Sequence, residues 1–186
     1  MSLNHAILGI VSSEPMTGYD LKKIMQDSAY MPWSGNNNQI YKALVELLER
    51  GYLTNEVQHQ DGAPSKKIYT ITEQGLAELK RWTLEEPELP EFRKVFLIRL
   101  ACSGQLSDEE LAGLLSGYEE ELTSMLLYRE ERHHRESAVK QLDGARDRLI
   151  RDMIHENVMG FYRQEMAWVQ ELRDKLIGLR QGKGGE

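Results

Sequence analysis

Asn38, Tyr41 and Lys42 fall within the short stretch NNNQIYK and supply an amide, a phenol and an ammonium group. Placed at about 100° per residue, they share a helical face with Val45, opposite Ile40, Leu44, Leu47 and Leu48. An asparagine amide can make paired hydrogen bonds to adenine, a lysine can contact guanine or phosphate, and a tyrosine can bond phosphate or pack on a thymine methyl. The first turns of a recognition helix are where base edges are met, so this face is expected to read double-stranded DNA. Lys66 and Lys67 form a second group on a strand-like run, where their ammonium groups could reach phosphates or simply discourage edge-to-edge aggregation.

Other reactive side chains fit no chemistry as well. His133 and His134 are adjacent, so on a helix their rings diverge by about 100° and cannot share a metal without a distant third ligand. The run Glu119 to Glu121 reads as a solvated face. No glycine-rich phosphate loop, nucleophile elbow or zinc-ligand spacing occurs, so neither catalysis nor a cofactor is expected. The single cysteine, Cys102, lies in the apolar run VFLIRLAC and is expected to be a small core side chain.

The elements that must carry the first two groups are well marked. Leu3, Ile7, Ile10 and Val11 stripe a short helix that stops before Pro15. Thr17 is a good N-cap with Asp20 three residues on, and Leu21, Ile24 and Met25 give the helix that follows its inward face. Pro32 and Gly35 in SAYMPWSG impose a turn, after which the helix through Ile40, Leu44, Leu47 and Leu48 runs to Gly51. TNEVQHQ and KKIYTIT, separated by DGAPS, read as a β-hairpin. TEQGLAELKRWTLEE returns as a helix facing inward through Leu76, Leu79 and Trp82. Three helices, a hairpin and a fourth helix make a winged helix.

In LEEPELPEF, Pro87 and Pro90 stand among four glutamates and cannot continue a helix, which divides the chain into a unit over 1–86 and a unit over 87–186. The chain has 186 residues, 40% hydrophobic and 28% charged, with net charge −7. That acidity argues against coating nucleic acid by bulk attraction. Five of the eight basic residues before position 87, however, fall at Lys22, Lys23, Lys42, Lys66 and Lys67, which could make one basic surface on an acidic body. The longest early apolar run, AILGIV, is far short of a membrane span, and no basic segment precedes it. A soluble, unexported protein of the reducing cytoplasm is expected.

TGYDLKKIM, IYKALVELLERGYL and GAPSKKIYTITEQG resemble, in order and spacing, the three signature segments of the PadR family of transcriptional regulators. The rest of the chain, beginning at RKVFLIRLAC, resembles the virulence-activator-like C-terminal domain of the family's longer members. The resemblance implies a dimeric winged-helix protein, in most members a repressor, and in several one that answers to small aromatic or cationic compounds. It places Asn38, Gln39, Tyr41 and Lys42 on the recognition helix and Ser65, Lys66 and Lys67 in the wing, where members commonly carry an arginine. The reading that competes with it is a helical interaction module whose winged helix docks protein.

The second half is built for association. Ser107 and Glu110 form a capping box, followed by the heptad-like seam Leu111, Leu115, Tyr118, Leu122 and Met125. After a charged stretch that could break at Gly144, a second seam runs Ile154, Val158, Phe161, Glu165, Trp168, Leu172, Leu176 and Leu179. Met159, Tyr162, Met166 and Val169 widen it beyond what one neighbouring helix would cover, and the surplus asks for a partner subunit. Ile154, Val158, Phe161, Trp168 and Leu172 are therefore expected to hold a homodimer. Tyr162, Met166 and Trp168 are expected to pack there too, although the same side chains would suit a small aromatic or apolar effector.

Overall fold

The computed structural model describes residues 3–28, 37–60, 63–87, 89, 94–139 and 144–182. The turn expected across SAYMPWSG from Ala29 onward, the Asp61–Gly62 corner of the hairpin and the linker at Glu88 and Pro90 lie outside them. The chain divides into two compact units, Met1–Leu89 and Pro90–Glu186. Among the described residues no helix is long and apolar enough to cross a membrane.

In the first unit, helix α1 (Leu3–Val11) buries Ala6, Ile7, Leu8, Ile10 and Val11. A two-residue strand β1 (Met16–Thr17) leads into α2 (Gly18–Asp27). Thr17 caps α2, its Oγ1 accepting the Asp20 amide N–H at 3.2 Å and donating to Asp20 Oδ2 at 2.7 Å. Helix α3 (Asn37–Glu49) buries Ile40, Ala43, Leu44 and Leu47 in the same core. Strands β2 (Leu53–Gln60) and β3 (Ala63–Ile71) pair antiparallel from Leu53 opposite Ile71 outward, with a register irregularity between Gln58 and Gln60. Strand β1 adds to the free side of β3, Met16 opposite Tyr69, giving the order β1-β3-β2. The third strand escapes a periodicity reading because two residues show no alternation.

Helix α4 (Glu73–Thr83) is tied to the end of α3 through Gly51, Tyr52 and Thr72. Gly51 adopts φ 72°, the left-handed value that suits glycine, while the Gly51 and Tyr52 amides donate to Leu48 and Leu47 carbonyls at 3.0 and 2.9 Å. Thr72 Oγ1 then donates to the Gly51 carbonyl at 2.7 Å and accepts the Gly75 amide at 3.0 Å. A Cβ built on Gly75 would lie 2.2 Å from the Tyr52 carbonyl oxygen, so the close approach requires glycine. Gly75→Ala is expected to destabilise the first unit by about 1–3 kcal/mol through this overlap, read as a lower denaturation midpoint; an unchanged midpoint would remove the packing role assigned to the glycine. The same geometry corrects the expected inward face of α4. Leu79 packs on the core and Trp82 stacks on His5 at 4.7 Å, but Leu76 is exposed because Gly75, one step round the helix, is the position pressed inward. Ile24, expected inward on α2, is also exposed; Gly18, Leu21 and Met25 take the buried line.

The second unit holds α5 (Val95–Ala101), a 3-10 turn at Ser103–Gln105, and two long helices, α6 (Asp108–Val139) and α7 (Ala145–Gly182). The capping box at the start of α6 is formed: the Ser107 amide donates to Glu110 Oε2 at 2.7 Å and the Glu110 amide to Ser107 Oγ at 3.2 Å. Those bonds hold the Glu110 carboxyl below its ordinary range. Glu119 meets Arg173 at one end and His133 meets His155 at the other, so α6 and α7 run antiparallel. Leu115, Leu122 and Val169 centre their shared core, with Phe96 and Leu100 of α5 packed on it. Cys102 is exposed, contrary to expectation. It follows the last residue of a two-turn helix that turns only one face inward, and Val95 and Ile98 of the same apolar run are exposed with it.

Candidate nucleic-acid interface and partner face

Helix α3 divides cleanly into a buried and an open face. Asn38, Gln39, Tyr41, Lys42 and Val45 are exposed, Tyr41 at 48% and Val45 at 54%, while Ile40 and Leu44 between them are almost fully covered. The Tyr41 ring lies over the start of α2, its Cε1 3.1 Å from where a Cβ of Gly18 would stand. Glycine at position 18 thus lets the phenol settle beside Tyr69, whose own hydroxyl is pushed above its ordinary range, first by burial and then by Tyr41. Ser65, Lys66 and Lys67 are exposed on β3. His59 Nδ1 lies 3.0 Å from Ser65 Oγ across the hairpin, at the register irregularity. Strand alternation puts Ser65 and Lys67 on one face and Lys66 on the other. Tyr19, Lys23 and His59 are exposed polar groups on neighbouring elements. Of these, neither Tyr19 nor His59 stood out in the sequence, because single polar residues there look like ordinary surface.

A cleft of about 280 Å³ in this unit is lined by Asn4, His5, Leu8, Glu46, Leu47, Arg50, Tyr52 and Glu78. Hydrogen bonds from Arg81 and then from His5 hold the Glu78 carboxyl down at about 2 and tie α1 to α4.

In the second unit the proposed association residues divide between two environments. Trp168 and Leu172 pack on the core centred on Leu115, Leu122 and Val169, Trp168 standing edge-on to Phe96 at 6.4 Å between ring centroids. Ile154 and Val158 are half-buried, and Phe161 is 45% exposed. Met159 and Val169, which seemed surplus, are wholly buried. Tyr162 and Met166 line the α6–α7 core, Tyr162 one turn before Glu165 and Met166 next to it in the chain. Glu165, the one carboxylate in the seam, is buried; Lys94 pairs with it at 2.6 Å and Tyr118 donates to it at 2.9 Å. Burial first, then this bond, push the Tyr118 hydroxyl up to about 12. Lys94 Nζ also lies 4.7 Å from the centre of the Phe161 ring, which anchors the chain entering α5 onto α7.

A family model described as "Transcriptional regulator PadR-like family" matches residues 7–81, a span that encloses α2, α3, the hairpin and nearly all of α4. The chain carries a PadR-like domain. It is similar to the Negative transcriptional regulator PadR of Bacillus subtilis (strain 168), with 26% identity over 149 residues, 80% of this chain and 75% of that protein. The structure of smu.1604c from Streptococcus mutans UA159 superposes with TM-score 0.79 at 26% identity, covering 94% of this chain and 99% of that one. Bacillus subtilis PadR in complex with operator DNA gives 0.77 at 22%, covering 91% and 96%, and in complex with p-coumaric acid 0.72 at 21%, covering 91% and 95%. The Vibrio cholerae virulence activator AphA gives 0.69 at 23%, covering 96% and 99%. The PadR-like winged helix followed by a helical C-terminal region is therefore the fold of this chain as well.

Proposed function

We propose that this chain is a sequence-specific, DNA-binding transcriptional regulator of the cytoplasm, acting as a homodimeric repressor on a two-fold operator. Residues 1–86 read the DNA, and residues 87–186 hold the dimer. The observation that carries this reading is the exposed polar half-face of α3, with Asn38, Tyr41 and Lys42 open to solvent on a PadR-like domain. Gln39 joins them, and Ser65, Lys66 and Lys67 of the wing supply contacts to the backbone. The Bacillus subtilis relative, a negative transcriptional regulator whose structure is known in complex with operator DNA, supports repression and a duplex ligand. Ile154, Val158 and Phe161 face the partner, with Trp168 and Leu172 backing them from inside the subunit. A small aromatic or apolar effector, bound beside Tyr162, Met166 and Trp168, modulates the complex; the p-coumaric acid complex of the same relative supports an aromatic ligand.

The test is a salt titration of binding to duplexes drawn from upstream of the gene and its neighbours. A regulator of this kind shows a steep fall of log K with log salt. Replacing Lys66 and Lys67 by Ala in both subunits would remove up to four phosphate contacts and flatten that slope by up to about 3.6. A slope that does not move would return both lysines to ordinary surface, and absence of binding to every upstream duplex would overturn the regulator reading.

A further inference from the structure

Where α6 nears its end and α7 begins, the imidazoles of His133 and His155 stack with centroids 3.8 Å apart and planes 11° from parallel. Both side chains are half-buried. One turn before His133, Arg129 is only 9% exposed; its Nε finds no hydrogen-bond partner among the described residues, and its guanidinium carbon lies 5.7 Å from the centre of the Tyr162 ring. Asp152, Glu156 and Arg163 of α7 act on the pair directly, and within one turn of it along the two helices stand Arg129, Glu130, Glu131, Arg132 and the exposed His134 on α6 and Arg151 on α7. Asp152 Oδ1 lies 3.7 Å from His133 Nε2 and can answer one proton. A second proton would place two like charges face to face at 3.8 Å, one helical turn from the Arg129 guanidinium.

We propose that the His133–His155 stack is a proton-operated catch that closes the end of the α6–α7 pair near neutral pH and releases it on acidification. Burial first, then the His133 charge, hold the His155 imidazole below its ordinary range, with Arg163 adding to this and Glu156 and Asp152 opposing it. Because the folded state thus favours the neutral ring, its stabilising contribution is fully present above about 6.5 and is lost as pH falls through the lowered value. Ile154 lies beside His155 in the chain, so release would also disturb the partner face; that consequence rests on the homodimer reading, whereas the catch itself does not.

The test uses the full chain, following the histidine ring resonances by NMR from pH 8 to 5 and thermal unfolding at pH 7.5 and 5.0. His155 is expected to titrate below the ordinary imidazole range and to move up toward it in His133→Gln. Between the two pH values the wild type should lose on the order of 2–4 °C more in Tm than His133→Gln/His155→Gln. If that double variant does not fold, His155→Phe, which keeps a ring in the stack and removes its titration, carries the same comparison. Parallel Tm profiles, or a His155 titration indifferent to His133→Gln, would overturn the catch. Sedimentation at both pH values separates the two ideas: a monomer at pH 7.5 defeats the homodimer while the resonances and melts still decide the catch, and a dimer unaffected by pH alongside a working catch confines it to a single subunit.

Discussion

A chain cut after Glu86 is expected to bind operator 10²–10⁴-fold more weakly than the intact protein, while remaining folded. The first unit keeps its own core of Ile7, Leu8, Leu21, Met25, Leu44, Leu47 and Leu53, all almost wholly buried, and α4 is complete at Thr83. Each fully buried aliphatic side chain contributes about 1.5–3 kcal/mol, so a cluster of this size can hold a small domain. What the truncated form would lack is the proposed tether. In a dimer, binding of one subunit turns the second event into an intramolecular one, which commonly raises affinity by about 10²–10⁴ without any new contact. Fluorescence anisotropy on a two-half-site duplex and on a single half-site measures both forms. Equal affinities, with the same preference for two half-sites, would show that the helical unit contributes nothing to assembly on DNA.

Asn38→Ala or Lys42→Ala should each weaken operator binding by about 1–3 kcal/mol per half-site, and therefore by at least about 30-fold when both half-sites are altered. Neither change should disturb the fold. Both side chains are exposed, whereas the packing of α3 is carried by Ile40, Ala43, Leu44 and Leu47. The two variants should differ in kind: loss of the asparagine amide relaxes discrimination at one base pair, and loss of the ammonium group also reduces the dependence on salt. Unchanged affinity in both, with unchanged thermal stability, would take base reading away from α3.

Local features were the most legible in the sequence. Thr17 with Asp20, Ser107 with Glu110, and Gly51 at the end of α3 each act within a few residues, and the structure shows all three. The open face of α3 followed from spacing alone because one side of a helix had to bury Ile40, Leu44 and Leu47. Strand β1 was not legible, since Met16 and Thr17 become a strand only by pairing with Tyr69 and Ile68. Nor was the partition of the α7 seam. Periodicity gives the width of an apolar face but not which neighbour covers it, so Trp168 and Leu172 could not be distinguished from Phe161 until α5 and α6 were in place. Glu165 looked like an interruption of that seam; its partner Lys94 stands 71 residues away, and no local pattern connects them.

The joint at Gly51, Tyr52, Thr72 and Gly75 bears on how a binding site would have to be shaped. It fastens the end of α3, the beginning of β2 and the beginning of α4 through backbone carbonyls and one threonine hydroxyl, with no room for even a methyl group. A helix and a hairpin fastened at their roots in this way are expected to move together, as one jaw. In the proposed complex the distance between the groove entered by α3 and the backbone touched by the wing would then be set before any DNA arrives, and a sequence whose groove width does not match it would have to bend or twist to fit. Bases that neither element touches would then influence affinity through their stiffness.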